Sequence, residues 1–237
     1  MPVHQIKTKL SNSWLIEQGA GLVVVDVARG CEDEVLDFIH ALGHAPAEVR
    51  TVACTHDDPD HMGGVPALAR ACGAEVALPL AANSAPRKIF NDPTGFAFRF
   101  MSGMAESMRP RAWRMYSRRQ PEPGADGPPP QNPVRLPGGV RRLRHGDDLP
   151  GAVGWQVVHT PGHSWDSCCF YHDASGGLIS GDTLLASGKE NRVVRPSILS
   201  NPLQLTRSLK LLQTLPVQTV YPGHGSVLSG PGLLDDL

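Results

Sequence analysis

The sequence predicts an α/β protein in which two similar halves form a sandwich of sheets flanked by helices. Three observations lead there. Between Ile6 and Leu78, short apolar runs alternate with amphipathic stretches in a strand and helix rhythm. The stretch from Val140 onward repeats that rhythm. Finally, the residues best suited to hold metal ions follow the ends of apolar runs. Strand ends that converge on one sheet edge are where a fold can gather distant ligands.

In chain order, Ile6–Leu10, Ser13–Glu17 and Leu22–Val27 read as strands, with turn signals at Asn12-Ser13 and Gln18–Gly21. The uninterrupted Leu22–Val25 run suits a strand buried on both faces, and Asp26 ends it. Val35, Leu36, Ile39 and Leu42 recur at helical spacing, predicting a helix over Cys31–Leu42. Glu32, Asp33 and Glu34 match its positive end, and Gly43 stops it. His40 and His44 near this end are ordinary for a helix terminus. Val49–Cys54 is the next strand, His61–Cys72 a helix with Leu68 inward, and Glu75–Leu78 a strand.

The middle, about residues 83–140, reads as an insertion. Its first part carries Phe96, Phe98, Phe100, Met101, Met104 and Met108 and is expected to form one or two helices. Arg99 and the arginines from Arg109 to Arg119 are interleaved with aromatic residues. Pro121–Pro137 reads as a proline-rich linker, extended at Pro128–Pro130. The segment suits a lid over a site, or a contact between two subunits of a homodimer. Its methionines would suit an apolar substrate group and its arginines an anionic one; taken singly, each is explained by a core or a solvated face. Beyond it, Val140–Leu143, Gly154–His159, Cys168–His172, Leu178–Ser180 and Val217–Tyr221 read as strands, and Asn201–Leu215 as a helix burying Leu205, Leu209 and Leu212.

The chemistry concentrates in Thr55-His56-Asp57-Asp58-Pro59-Asp60-His61, followed by Met62-Gly63-Gly64. His56 and Asp58 alternate and point to one side in an extended segment, whereas adjacent Asp60 and His61 diverge. One loop can thus serve two neighbouring metal positions. A helix beginning here would turn its positive end toward the loop and favour a carboxylate at Asp60. The plain alternative is a polar loop with Asp60 as a helix N-cap. Far downstream lie candidate partners: His163 in His-Thr-Pro-Gly-His, Asp182 in Ser-Gly-Asp-Thr and His224 in Pro-Gly-His-Gly. His159 is expected to pack or bond locally, and His4, His145 and His172 to be structural.

This ordered set resembles the metallo-β-lactamase superfamily over nearly the whole chain. The family's leading motif is His-x-His-x-Asp-His, followed by a His, an Asp and a His. His56, Asp60, His61, His163, Asp182 and His224 match, whereas Asp58 replaces the second His. The resemblance implies one four-layer αββα sandwich spanning residues 1–237, with two divalent cations side by side. His56, Asp58 and His163 would hold the first, Asp60, His61 and His224 the second, and Asp182 would bridge them. A metal-bound hydroxide would be the nucleophile, with Asp60 as the catalytic group that orients water or relays a proton. Asp26, at a strand end, is expected either to support the ligands or to be structural, and not to be a ligand itself. The extra carboxylate at Asp58 favours iron or manganese in at least one position, with zinc as the other candidate.

Composition narrows the function. A formal net charge of -1 argues against nucleic acid and anionic membranes as partners. No apolar run is long enough to span a bilayer, and Met1–Leu10 has no apolar leader core. The five cysteines form no Cys-x-x-Cys pair, which suits a reduced, cytoplasmic protein. The leading expectation is a hydrolase of a small ester-like substrate: a lactone, a thioester or a related acyl compound. A β-lactamase is disfavoured by the absent leader, a nuclease by the lack of room for a further domain. The thioesterase acting on glutathione adducts usually carries a helical extension after the last His; this sequence ends shortly after His224, which disfavours that specific assignment. A di-iron oxygen-binding or redox protein and a non-catalytic ligand sensor are the alternatives, the sensor because Trp165-Asp166 would narrow the site.

Overall fold

A computed structural model describes residues 1–19, 21–80, 93–108, 139–187 and 190–237. Its larger sheet holds β1 (Val3–Lys7), β2 (Asn12–Gln18), β3 (Gly21–Val25), β4 (Val49–Ala53), β5 (Glu75–Pro79) and β6 (Val140–Leu143), side by side in that order. β1, β2 and β3 are antiparallel, and β3 to β6 are parallel. The parallel crossovers carry α1 (Glu32–Ala41), then α2 (Pro59–Met62) and α3 (Val65–Cys72). The second sheet has the order β13 (Leu228–Ser229), β12 (Thr219–Pro222), β9 (Gly177–Gly181), β8 (Cys168–His172), β7 (Trp155–His159). A ribbon of β10 (Leu185–Ser187) and β11 (Arg192–Val194) lies between β9 and α5 (Pro202–Leu212) in sequence. Helix α4 (Pro93–Ser107) occupies the insertion.

Period-two alternation separates the layers. Leu15, Leu22 and Val24 join Val35, Ile39 and Leu68 in a core between the larger sheet and its helices. Their neighbours Trp14, Ile16, Val23 and Val25 face the other way, onto Trp155, Val157, Phe170 and Ile179 between the sheets. Cys169, Tyr171 and Leu178 then meet Leu205, Leu209 and Leu212 of α5 in a third core. The result is helix, sheet, sheet, helix. It accounts for the Leu22–Val25 run, since a strand with packed layers on both faces has no polar side to keep. All five cysteines are buried and free. Cys168 and Cys169 point into different cores. None of the described helices is long and apolar enough to cross a membrane.

Two local expectations are corrected. The first strand ends at Lys7 rather than Leu10, and Asn12-Ser13 belongs to β2. The turn is Thr8–Ser11, closed by the Thr8 amide and hydroxyl, both donating to the Ser11 carbonyl. The expected helix over His61–Cys72 is broken into α2 and α3. Pro66 has no amide hydrogen to bond the carbonyl one turn back. A Cβ on Gly63 would lie 2.7 Å from the Arg29 Cβ, and one on Gly64 2.5 Å from the Ala28 carbonyl, so the chain can pass there only as glycine. Within the insertion, α4 bears out the helical expectation. The arginines from Arg109 to Arg119 and the Pro121–Pro137 stretch lie outside the described residues.

Candidate metal centre

Four of the candidate ligands follow strand ends, and two sit in a short helix. His56 comes after β4, His61 and Asp60 sit in the one-turn α2, His163 follows β7, Asp182 follows β9 and His224 follows β12. The structure brings all of them, with Asp58, into one cluster. His56, His163 and Asp182 offer ligand atoms within 4.8 Å of one another, and so do Asp60, His61 and His224. Asp182 faces both sets. Its Oδ1 lies 3.4 Å from the Nε2 atoms of His61 and His224, and its Oδ2 3.7 Å from His163 Nε2. Asp60 Oδ2 stands 3.4 Å from His224 Nε2 and 3.6 Å from His61 Nε2. The N-cap of α2 is Asp58, with Asp60 inside its first turn, so Asp60 is not a helix cap.

Hydrogen bonds on the far side of three of the rings set their tautomers. His163 Nδ1 lies 2.7 Å from the Ile198 carbonyl, which can only accept, so Nδ1 carries the proton and Nε2 keeps its lone pair. His61 Nδ1 donates to Asp26 Oδ2 at 2.9 Å. His56 Nδ1 donates to Thr55 Oγ1 at 3.0 Å, and that hydroxyl in turn donates to Asp26 Oδ2 at 2.8 Å. Asp26 thus supports the ligands, one of its two expected roles, and its backbone takes a left-handed φ of 60° to reach them. Thr55, quoted in the motif but given no role from sequence, is the link between Asp26 and His56. The signal available was its position between a strand end and the leading His.

The electrostatics are those of a site short of positive charge. Burial opposes protonation of His61, but the Asp182 and Asp26 carboxylates outweigh it and hold its pKa well above the usual value. Burial likewise opposes protonation of His224, yet Asp182 and Asp60 raise it to about 10. Asp182 is buried, which raises a carboxyl, but His224 and His61 pull it well below the ordinary range. His56 Nε2, His61 Nε2 and Asp182 Oδ1 are buried without a hydrogen-bond partner. Buried polar atoms of this kind are costly unless something else satisfies them. Nitrogen and carboxylate donors converging in two groups of three match what a divalent cation takes in a catalytic site. The residues present therefore fit a pair of cations.

Asp58 sits at the edge of the first group, its Oδ2 3.3 Å from His56 Nε2 and 3.5 Å from His163 Nε2. The same oxygen accepts from the Arg99 Nη2 of α4, which also lies 3.1 Å from His163 Nε2. Among the arginines of the insertion, nothing in the sequence distinguished Arg99; its reach into the site depends on how α4 docks.

Loops brace the cluster. The Ser11 hydroxyl bonds the Asp60 carbonyl. Asn12 Nδ2 holds the Pro222 and Gly225 carbonyls at 2.8 and 2.9 Å, fixing the turn that presents His224. Asp166 receives the Asp57 amide at 2.8 Å. Its buried carboxylate therefore anchors the loop that carries His56, Asp58 and Asp60, while neighbouring Trp165 is 40% exposed. His159 bonds the Trp165 carbonyl at 3.0 Å, as its local role predicts. Gly223 leaves the room Asp182 needs: a Cβ there would lie 2.3 Å from Asp182 Oδ1 and 2.8 Å from His61 Cε1. Gly223→Ala is expected to weaken metal binding by about tenfold or more, in the range seen when groups orienting a ligand are disturbed. Calorimetric metal titration checks this, and an unchanged affinity would show that the turn can relax.

A helix, sheet, sheet, helix sandwich carrying two adjoining His/carboxylate groups at its strand ends defines a class. The chain belongs to the metallo-beta-lactamase superfamily, whose family profile matches residues 7–224. It is 29% identical over 215 residues to a hydroxyacylglutathione hydrolase of Methylobacillus flagellatus, covering 89% of this chain and 60% of that protein. It is 24% identical over 226 residues to an atrochrysone carboxyl ACP thioesterase of Aspergillus fumigatus, covering 95% of this chain and 40% of that one. The chain thus spans less than two thirds of either relative. Among solved structures, TTHA1623 in a di-iron-bound form superposes with a TM-score of 0.60 at 28% identity, covering 97% of this chain and 94% of that one.

Proposed function

We propose that this chain is a metal-dependent hydrolase of a small ester-like acyl compound, with thioesters and lactones as the leading classes. The observation that supports it most is the placement of Asp182, which completes one three-donor group with His56 and His163 and also faces His61 and His224 of the other, where Asp60 and His224 stay 35% and 30% exposed. His56 and His163 with Asp182 would hold one cation, and Asp60, His61 and His224 the other. Held there, the cations would supply Lewis acidity toward an acyl oxygen and would lower the pKa of a bound water toward ~7.

The protein's own groups do the rest. Asp26, Thr55 and the Ile198 carbonyl hold three imidazoles with their Nε2 lone pairs toward the centre. Asp60, the most exposed carboxylate of the two groups, orients water and carries a proton to the leaving alcohol or thiol. An open depression of about 350 Å³, lined by Lys7, Thr8, Leu10, Asn12 and Ser226, borders the site at His224. The names of the two sequence relatives favour thioesters within this class. The test is a screen of lactones, thioesters and phosphodiesters against the zinc, iron and manganese forms. Turnover of a thioester or lactone is expected; no turnover of any ester by a fully loaded protein would overturn the reading.

A di-iron redox protein is the second reading, favoured by the di-iron relative and by the additional carboxylate of Asp58. Hard oxygen ligands shift preference from zinc toward iron or manganese. Asp58→His is then expected to shift the metal content toward zinc when both proteins are purified from metal-controlled medium. Identical content would remove Asp58 as a determinant of metal choice.

A further inference from the structure

We propose that Arg99 is an internal cation that competes with a metal ion for Asp58 and His163, so that the two metal positions fill in order, the Asp60, His61 and His224 position first. The inference rests on the metal-centre reading above.

The argument begins at His163. Its Nδ1 is committed to the Ile198 carbonyl at 2.7 Å, which leaves one lone pair, on Nε2. That atom lies 3.1 Å from Arg99 Nη2. A guanidinium has only donors to offer, so Nε2 is the acceptor. The other partner of Nη2 is Asp58 Oδ2. A metal ion held with His56 and Asp182 needs the same His163 lone pair, and nitrogen ligands approach such ions to ~2 Å. One lone pair cannot serve both. A divalent ion there would also face the guanidinium charge at close range, in a site too buried for water to screen it well.

The helix that carries Arg99 is built to let go. Ser102, one turn further on, accepts the Leu199 amide at 3.3 Å, next to the residue whose carbonyl orients His163. Arg99 and Ser102 thus tie one face of α4 to the site. Among the described residues, Phe96, Phe100 and Met101 of this helix are 43%, 62% and 68% exposed, so these large side chains add little apolar burial. Few buried contacts mark an element of low local stability. Asp60, by contrast, pairs with His61 and His224, and no arginine or lysine contacts it among the described residues. Asp58 is what makes the latch possible. An imidazole there, as in the family's leading motif, offers no carboxylate to receive a guanidinium.

The test is titration of the metal-free, full-length protein with Zn²⁺ and with Mn²⁺, followed by calorimetry and by hydrogen exchange over residues 93–107. The wild type is expected to bind one equivalent tightly and a second more weakly, and exchange in α4 is expected to accelerate only with the second. In Arg99→Ala the weaker site should tighten on the order of tenfold, the scale of a freed charge-assisted hydrogen bond. The tight site should not change, and α4 should exchange fast throughout. Arg99→Gln, which keeps most of the bulk without the charge, is expected to behave likewise, guarding against a folding defect in the alanine variant. An unchanged or weakened second site in both variants, or exchange in α4 that ignores metal, would overturn the competition and make Arg99 a support for Asp58 instead. If neither wild type nor variants bound metal, the centre itself would fail, and the latch with it.

Discussion

Asp182→Ala is expected to abolish binding at both metal positions and to lower ester hydrolysis by at least about 10³-fold, since metal Lewis acidity is worth several kcal/mol and each 1.36 kcal/mol is tenfold. The reason is its shared position. Oδ1 serves His61 and His224 at 3.4 Å, while Oδ2 faces His163 at 3.7 Å. No other carboxylate of the two groups reaches both. Binding to the folded state alone raises stability by about 2.7 kcal/mol at a ligand concentration 100 times the Kd. The wild-type melting temperature should therefore rise with added metal, and that rise should vanish in the variant. Asp182→Asn removes the charge but keeps the shape, and it should lose most of the same binding. A variant that still bound two ions with wild-type affinity would show that Asp182 is not shared.

Asp26 is expected to have the largest effect of any residue outside the ligand set. It is fully buried and accepts the Thr55 amide at 2.7 Å, the Thr55 hydroxyl at 2.8 Å and His61 Nδ1 at 2.9 Å. Asp26→Ala leaves those donors without an acceptor, at about 1–3 kcal/mol for each buried group left unsatisfied. It also puts a non-glycine, non-Asx residue at a φ of 60°, adding about 1–2 kcal/mol. A total loss of about 3 kcal/mol or more by chemical denaturation follows. Asp26→Asn separates folding from metal binding. Asn tolerates the left-handed backbone, but its amide presents hydrogens to His61 Nδ1. The imidazole proton then moves to Nε2, the atom a cation requires. Metal affinity should fall about 10- to 100-fold, the usual cost of disturbing a group that orients a metal-binding histidine. An Asn variant that binds metal normally would show that Asp26 does not set the tautomer.

Much of this was legible in local sequence because the relevant signals are local. The Leu22–Val25 run announced a strand covered on both sides, and the leucines of α5 announced its buried face. Asn201 caps that helix through bonds to the Leu203 and Gln204 amides, as an Asn immediately before Pro-Leu should. Other features depend on distant segments that arrive only on folding. The break between α2 and α3 follows from Ala28 and Arg29 crossing Gly63 and Gly64. The turn at Thr8–Ser11 is displaced from Asn12 because Asn12 is needed in β2 to hold the carbonyls of the His224 turn.

The site divides in the same way. Residue type and order along the chain determined which atoms can bind a cation, because imidazole and carboxylate chemistry travels with the side chain. The resemblance to the family also implied the grouping, with Asp182 shared. The tertiary structure alone decided the orientation: it gave His61 and His163 their tautomers through Asp26 and the Ile198 carbonyl, and brought Arg99 onto Asp58. Those outcomes turn on separations of a few ångströms between residues far apart in sequence, which the packing of two sheets and their helices fixes and no local pattern encodes.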